Sequence, residues 1–141
     1  MLFPFAIYAF YNLAFIQKNR ISNKYEWKFF SPVFEKMVVG PLITRRILRL
    51  YDGKIFRDDT GEVEVVAAVL KHLIVSNNFD RIVSPSSIKI KVLYDDTVFL
   101  FLSPDNTFFI TYRALTLCDK HPHLLSLLIA HELAHHFLGH Q

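Results

Sequence analysis

Residues 1–16 of this chain are apolar almost without interruption, Asn12 being strongly polar, and Gln17-Lys18-Asn19-Arg20 ends the run. A bilayer-spanning helix takes about 20 residues, with a lower limit near 17. Residues 1–17 therefore read as a short hydrophobic anchor or an interfacial helix; the alternative is a hydrophobic helix packed into a partner or the domain's own core. No charge precedes the run, and no small-residue cleavage site follows it, so it is not patterned as a signal peptide. The pattern then changes. Residues 18–50 interleave basic positions with Tyr25, Trp27, Phe29, Phe30 and Phe34. They read as a basic amphipathic helical segment, two helices broken at Gly40-Pro41, with Arg45, Arg46 and Arg49 on one face of the second.

From residue 51 the periodicity is that of a folded domain. Val63, Val66, Val69, Leu70, Leu73 and Ile74 recur at helical spacing, which predicts a helix from about 62 to 75. Asp59-Thr60-Gly61-Glu62 before it is patterned as a capping box. Ile88, Ile90 and Val92 alternate with Lys89 and Lys91, as in a half-exposed strand. Two apolar runs, 97–102 and 107–112, flank Ser103-Pro104-Asp105-Asn106, which predicts a β-hairpin. A last helix is predicted from Pro122 to Gly139, with proline and glycine at its ends.

Composition adds little to this and charge adds more. The chain has 141 residues and is 52% hydrophobic, which excludes a disordered tail. Its lone cysteine, Cys118, excludes an internal disulfide framework and reads as a small core residue. The net charge of +3 divides unevenly: residues 1–50 carry eight basic against two acidic positions, and residues 51–141 eight against eleven. The basic third follows an apolar run, so anionic lipid headgroups are favoured over nucleic acid as the partner of residues 1–50; the alternative is a solvated basic face with no partner.

The chemistry lies in the last helix, at His131-Glu132-Leu133-Ala134-His135. Two histidines four apart sit about 40° apart on a helix, one turn above the other, so both imidazoles can reach one ion. Glu132 lies about 60° from His135, where a general base can reach water at that ion without being a ligand. The expectation is therefore Zn2+ held by His131 and His135, with Glu132 catalytic. Shuffling this composition produces such a motif by chance in roughly 1% of cases. Apolar residues around it predict a buried helix, in which unsatisfied histidines would be costly. His121, His123, His136 and His140 are expected to lie off the metal stripe, and His72 to be an ordinary surface residue.

The run Leu127-Leu128-Ile129-Ala130-His131-Glu132-Leu133-Ala134-His135, the hairpin with Pro104-Asp105-Asn106 and Phe108-Phe109-Ile110-Thr111, and the upstream helix and strand together resemble the membrane-associated gluzincin metalloendopeptidases of the HtpX type, especially the OMA-type enzymes of mitochondria. The resemblance covers about residues 45–141. It implies an α+β, zincin-like fold with a small sheet and β-hairpin beside a buried HExxH helix, preceded by the hydrophobic N-terminal helix. Residues 51–141 would be the N-terminal half of the metallopeptidase domain. It further implies a zinc-dependent endopeptidase acting on membrane-associated proteins, with protein or peptide substrates, in a membrane such as the mitochondrial inner membrane. Where the family has two hairpin glycines this chain has Asp105 and Asn106, so its turn must be built differently. The family's third ligand, a glutamate on a later helix, has no counterpart before Gln141. The chain as given is therefore expected to be incomplete or inactive; the alternative is a noncatalytic, peptidase-like subunit of a larger membrane complex.

Overall fold

A computed structural model describes residues 16–18, 25–27, 32–119 and 121–138. Within them the chain is α+β. Two short strands, β1 (Ile16–Lys18) and β2 (Tyr25–Trp27), pair antiparallel. A helical lead-in (Pro32–Phe34, then the π-helical Glu35–Val39) continues into α1 (Gly40–Leu50). There follow α2 (Gly61–Ser76), β3 (Lys89–Leu93), β4 (Leu100–Leu102), β5 (Thr107–Thr111), α3 (Tyr112–Cys118) and α4 (Pro122–Leu138). Most of the expected hydrophobic helix, residues 1–15, lies outside the described residues; Ile16, Gln17 and Lys18 are strand. Among the described residues of 18–50, Tyr25–Trp27 is strand and helix runs from Pro32 onward. No helix among the described residues is long and apolar enough to cross a membrane.

The main sheet has the order β3-β5-β4. β4 and β5 form the expected hairpin, antiparallel with Phe101 opposite Phe109. β5 also pairs parallel with β3, Ile90 against Phe108. On one face of this sheet Ile88, Val92, Phe108, Ile110 and Leu102 meet Val63, Val66, Leu70 and Ile74 of α2 and Leu125, Ile129 and Leu133 of α4. α2 packs on β3 and α4 on β4, so the two helices lie side by side over the sheet. Ile74, Val92, Phe108, Ile110 and Ile129 are fully buried there, and each contributes roughly 1.5–3 kcal/mol by removal from water.

Local chemistry explains where the elements begin and end. The Asp59–Glu62 capping box does not form. The N-cap is Thr60, one residue later than the box requires. Thr60 Oγ1 donates to the Arg57 carbonyl, and Asp59 pairs with Arg57 at 3.0 Å. β4 starts later than its apolar run because Thr97 N donates to Asp95 Oδ1, holding residues 95–97 in a turn. Thr111 then organises the far end of the hairpin. Its buried hydroxyl donates to the Thr97 carbonyl, accepts from Phe99 N, and caps α3 at Ala114 N.

Gly40-Pro41 does not break the helix. Proline lacks an N–H and crowds the carbonyl four residues back; here the wider π turn of Glu35–Val39 lies directly before it and makes room. Gly40 is helical and buried, and its Cα faces the hairpin turn. A Cβ there would stand 2.5 Å from Asp105 N. In that turn Asn106 takes the left-handed conformation, φ 63°, that a glycine would otherwise fill. Its N–H donates to the Ser103 carbonyl at 2.9 Å, and Asp105 Oδ1 accepts from Thr107 N at 3.2 Å.

Candidate metal centre

α4 carries the motif and is held along one side only. Leu125, Ile129 and Leu133, each four residues apart, are buried in the core. Positions a half-turn away face outward: Leu127 is 66% exposed, and His131 and Ala134 are exposed too. This corrects the expectation of a helix buried all round. Glu132 and His135 are half-buried, at the border between the two sides. The sequence pattern misleads here because Leu127 and Ala134 continue the apolar run without joining the core.

His131 and His135 are brought together as the four-residue spacing requires. Their Nε2 atoms are 2.9 Å apart. The rings are 4.4 Å apart between centroids and nearly perpendicular, at 81°. With neutral rings, one Nε2 carries the hydrogen and the other accepts it, so the two are in opposite tautomers. The same geometry suits a shared ion. Two nitrogens at about 2.0–2.1 Å from a tetrahedral zinc are about 3.3–3.4 Å apart. Opening the pair by a few tenths of an ångström, through the side-chain torsions of exposed His131 and half-buried His135, would give that spacing. His131 and His135 thus fit a metal through their Nε2 atoms.

A third ligand is not found among the described residues, where no group of three His, Cys, Asp or Glu side chains converges. Asp95 is engaged elsewhere: Tyr51 Oη donates to its Oδ2 at 2.6 Å. That bond, with those from the 96–97 backbone, lowers the Asp95 carboxyl below its ordinary range and raises the Tyr51 phenol. Asp119 lies at the end of α3 and lines a cavity with Glu62 and Tyr112. His121 and His123 are exposed. His136 is half-buried with its ring 5.7 Å from Phe137, and His72 is exposed on α2. His140 lies outside the described residues. Cys118 is buried, and burial, then the charge of Asp119, pushes its thiol up; it is a core residue rather than a nucleophile.

An apolar cavity of about 190 Å³ lies between α2 and α4, walled by Leu73, Phe79, Ala130, Leu133 and Phe137. Sequence reasoning had no signal for it, since its walls come from segments about fifty residues apart. No family model, no curated protein and no solved structure matches the chain.

Proposed function

We propose that the chain is the metal-binding part of a zincin-like zinc endopeptidase acting on membrane-associated proteins. The observation that carries this reading is the convergence of His131 and His135 Nε2 to 2.9 Å at the outward edge of α4, with Glu132 next to His131 in the chain. The resemblance to the HtpX and OMA-type peptidases supplies the reaction class, the membrane setting and the mitochondrial inner membrane as compartment.

When bound, zinc would supply Lewis acidity for the scissile carbonyl and for water. His131 and His135 would hold it through their ring nitrogens. Glu132 takes a proton from the attacking water and returns it to the departing amide nitrogen, so that no charged amide leaves. A catalytic zinc ordinarily has three protein ligands, so one more group would have to join His131 and His135. The exposed face of α4 leaves room for a peptide to approach.

A second reading is a noncatalytic, peptidase-like subunit of a membrane complex. The lack of a third converging ligand among the described residues favours it. The two separate on one experiment: hydrolysis of unfolded casein by the natural polypeptide carrying these residues, before and after chelation. Activity lost on chelation, restored by zinc and absent in Glu132→Gln supports the peptidase. Zinc binding without hydrolysis supports the subunit.

A further inference from the structure

The uneven charge of the chain has a counterpart on α1. One side of this helix is tied to the domain. Gly40 abuts Asp105, Thr44 Oγ1 donates to Asp105 Oδ1 at 3.0 Å, and Tyr51, one residue past the helix, donates to Asp95. At about 100° per residue these three positions lie within about 40° of each other, opposite Leu42 and Arg49. The outward side is thereby fixed. It presents Leu42, Arg45, Arg46, Arg49 and Leu50, all exposed, around an open concavity of about 410 Å³.

The two leucines are 60% and 70% exposed, and on the turns just before the helix Met37 is 71% exposed. Among the described residues no ion pair holds any of the three arginines; the pairs there are Arg57–Asp59 and Lys91–Asp58. Exposed leucines beside these three arginines make this surface both apolar and cationic, and an apolar patch rimmed by polar groups marks an interaction site.

We propose that this face of α1 docks on an anionic phospholipid bilayer, with Arg45, Arg46 and Arg49 on headgroup phosphates and Leu42 and Leu50 at the acyl boundary. Set parallel to the bilayer surface, this face would hold its three arginines at the phosphates while the leucines at its two ends reach the acyl boundary. A nucleic acid would use the arginines but offers no apolar layer for Leu42 and Leu50; stacking platforms for bases are aromatic. The surface is independent of the metal site, and its test does not use peptidase activity.

The test is co-sedimentation of the full 141-residue chain with vesicles of phosphatidylcholine alone, or with roughly a third phosphatidylglycerol. The apolar residues 1–16 contribute equally to both, so the ratio reads charge. The wild type is expected to prefer the anionic vesicles, and to lose the preference at high salt. At about fivefold per arginine, Arg45→Gln/Arg46→Gln/Arg49→Gln should cost roughly a hundredfold on anionic vesicles only. The corresponding triple lysine variant should keep most of the binding, and Leu42→Ser/Leu50→Ser should weaken it at every salt concentration. Equal binding of the wild type to both vesicles overturns the proposal. So does a triple glutamine variant that keeps the preference, or tighter binding to duplex DNA or RNA than to vesicles at the same ionic strength. Should the glutamine variant not fold, the wild-type lipid and salt series and the leucine variant still decide.

Discussion

Replacing Gly40 by alanine sets two effects against each other, and the structure says which wins. In a helix interior alanine is favoured over glycine by about 1 kcal/mol, so propensity alone predicts a more stable protein. The new methyl, however, would lie 2.5 Å from Asp105 N, 2.8 Å from Asp105 Cβ and 3.1 Å from Asp105 Cα. The obstacle is backbone and cannot swing aside; α1 must lift off the hairpin turn. That movement strains the Thr44–Asp105 bond and the contact of Ser103 Oγ with the Gly40 carbonyl at 3.3 Å. Overpacking of this kind costs about 1–3 kcal/mol, and each lost hydrogen bond about 1 kcal/mol. Net of propensity, Gly40→Ala should destabilise by about 1–3 kcal/mol, a fall in Tm of roughly 4–10 °C at this chain length. Gly61→Ala is the control. It is also the first residue of a helix, but nothing lies within 4 Å of its added Cβ, so it should be neutral or stabilising by up to about 1 kcal/mol. Urea unfolding followed by circular dichroism measures both. A Gly40→Ala protein as stable as the wild type would refute the close approach of α1 to the hairpin turn.

Ile129→Ala removes a fully buried side chain from the inner side of α4 and should cost about 2–5 kcal/mol in the same unfolding assay; a cost below about 1 kcal/mol would mean α4 is not seated as described. Tyr51→Phe tests the Tyr51–Asp95 bond through pH. Because Asp95 is lowered in the folded state, its stabilisation is present above the ordinary carboxylate range and is lost as pH falls through its lowered value. Because Tyr51 is raised, its share is present below the ordinary phenol range and is lost as pH rises through its raised value. The wild type should therefore exceed Tyr51→Phe in stability near neutrality, with the gap closing at both extremes; a constant gap would contradict the pairing. Glu132→Gln should keep zinc and lose hydrolysis by several orders of magnitude, by elemental analysis and casein turnover together; near-normal turnover would assign Glu132 another role.

The parts of this fold that were legible in the sequence are those governed by neighbours in the chain. The α2 stripe from Val63 to Ile74 and the alternation from Ile88 to Val92 each give their element to within a residue or two. The Pro104–Asn106 turn sets the hairpin in the same way. The pairing of His131 with His135 is of the same kind, since four-residue spacing on a helix fixes it. What was not legible depends on residues distant in sequence. The parallel pairing of β3 with β5 leaves no mark in either strand. Gly40 and Pro41 are locally helix breakers; what keeps α1 continuous is the π turn before them and the turn at Asp105, which needs a residue without a side chain. The apolar surround of HExxH suggested a buried helix because Leu127 and Leu133 look alike in sequence, while only Leu133 faces the sheet. Asn106 in the place of a glycine was an open question in the sequence, and its left-handed φ answers it.

The claim on which the functional reading rests is that His131 and His135 hold one metal ion through their Nε2 atoms. Long-range proton–nitrogen NMR of the histidine rings during a zinc titration of the 141-residue chain tests it directly. The Nε2 resonances of His131 and His135 are expected to move together with the first equivalent of bound zinc, while those of His72, His121 and His123 stay in place, and His135→Ala should remove the response of His131. Zinc that shifts other histidines first, or that leaves His131 and His135 unmoved, would contradict it.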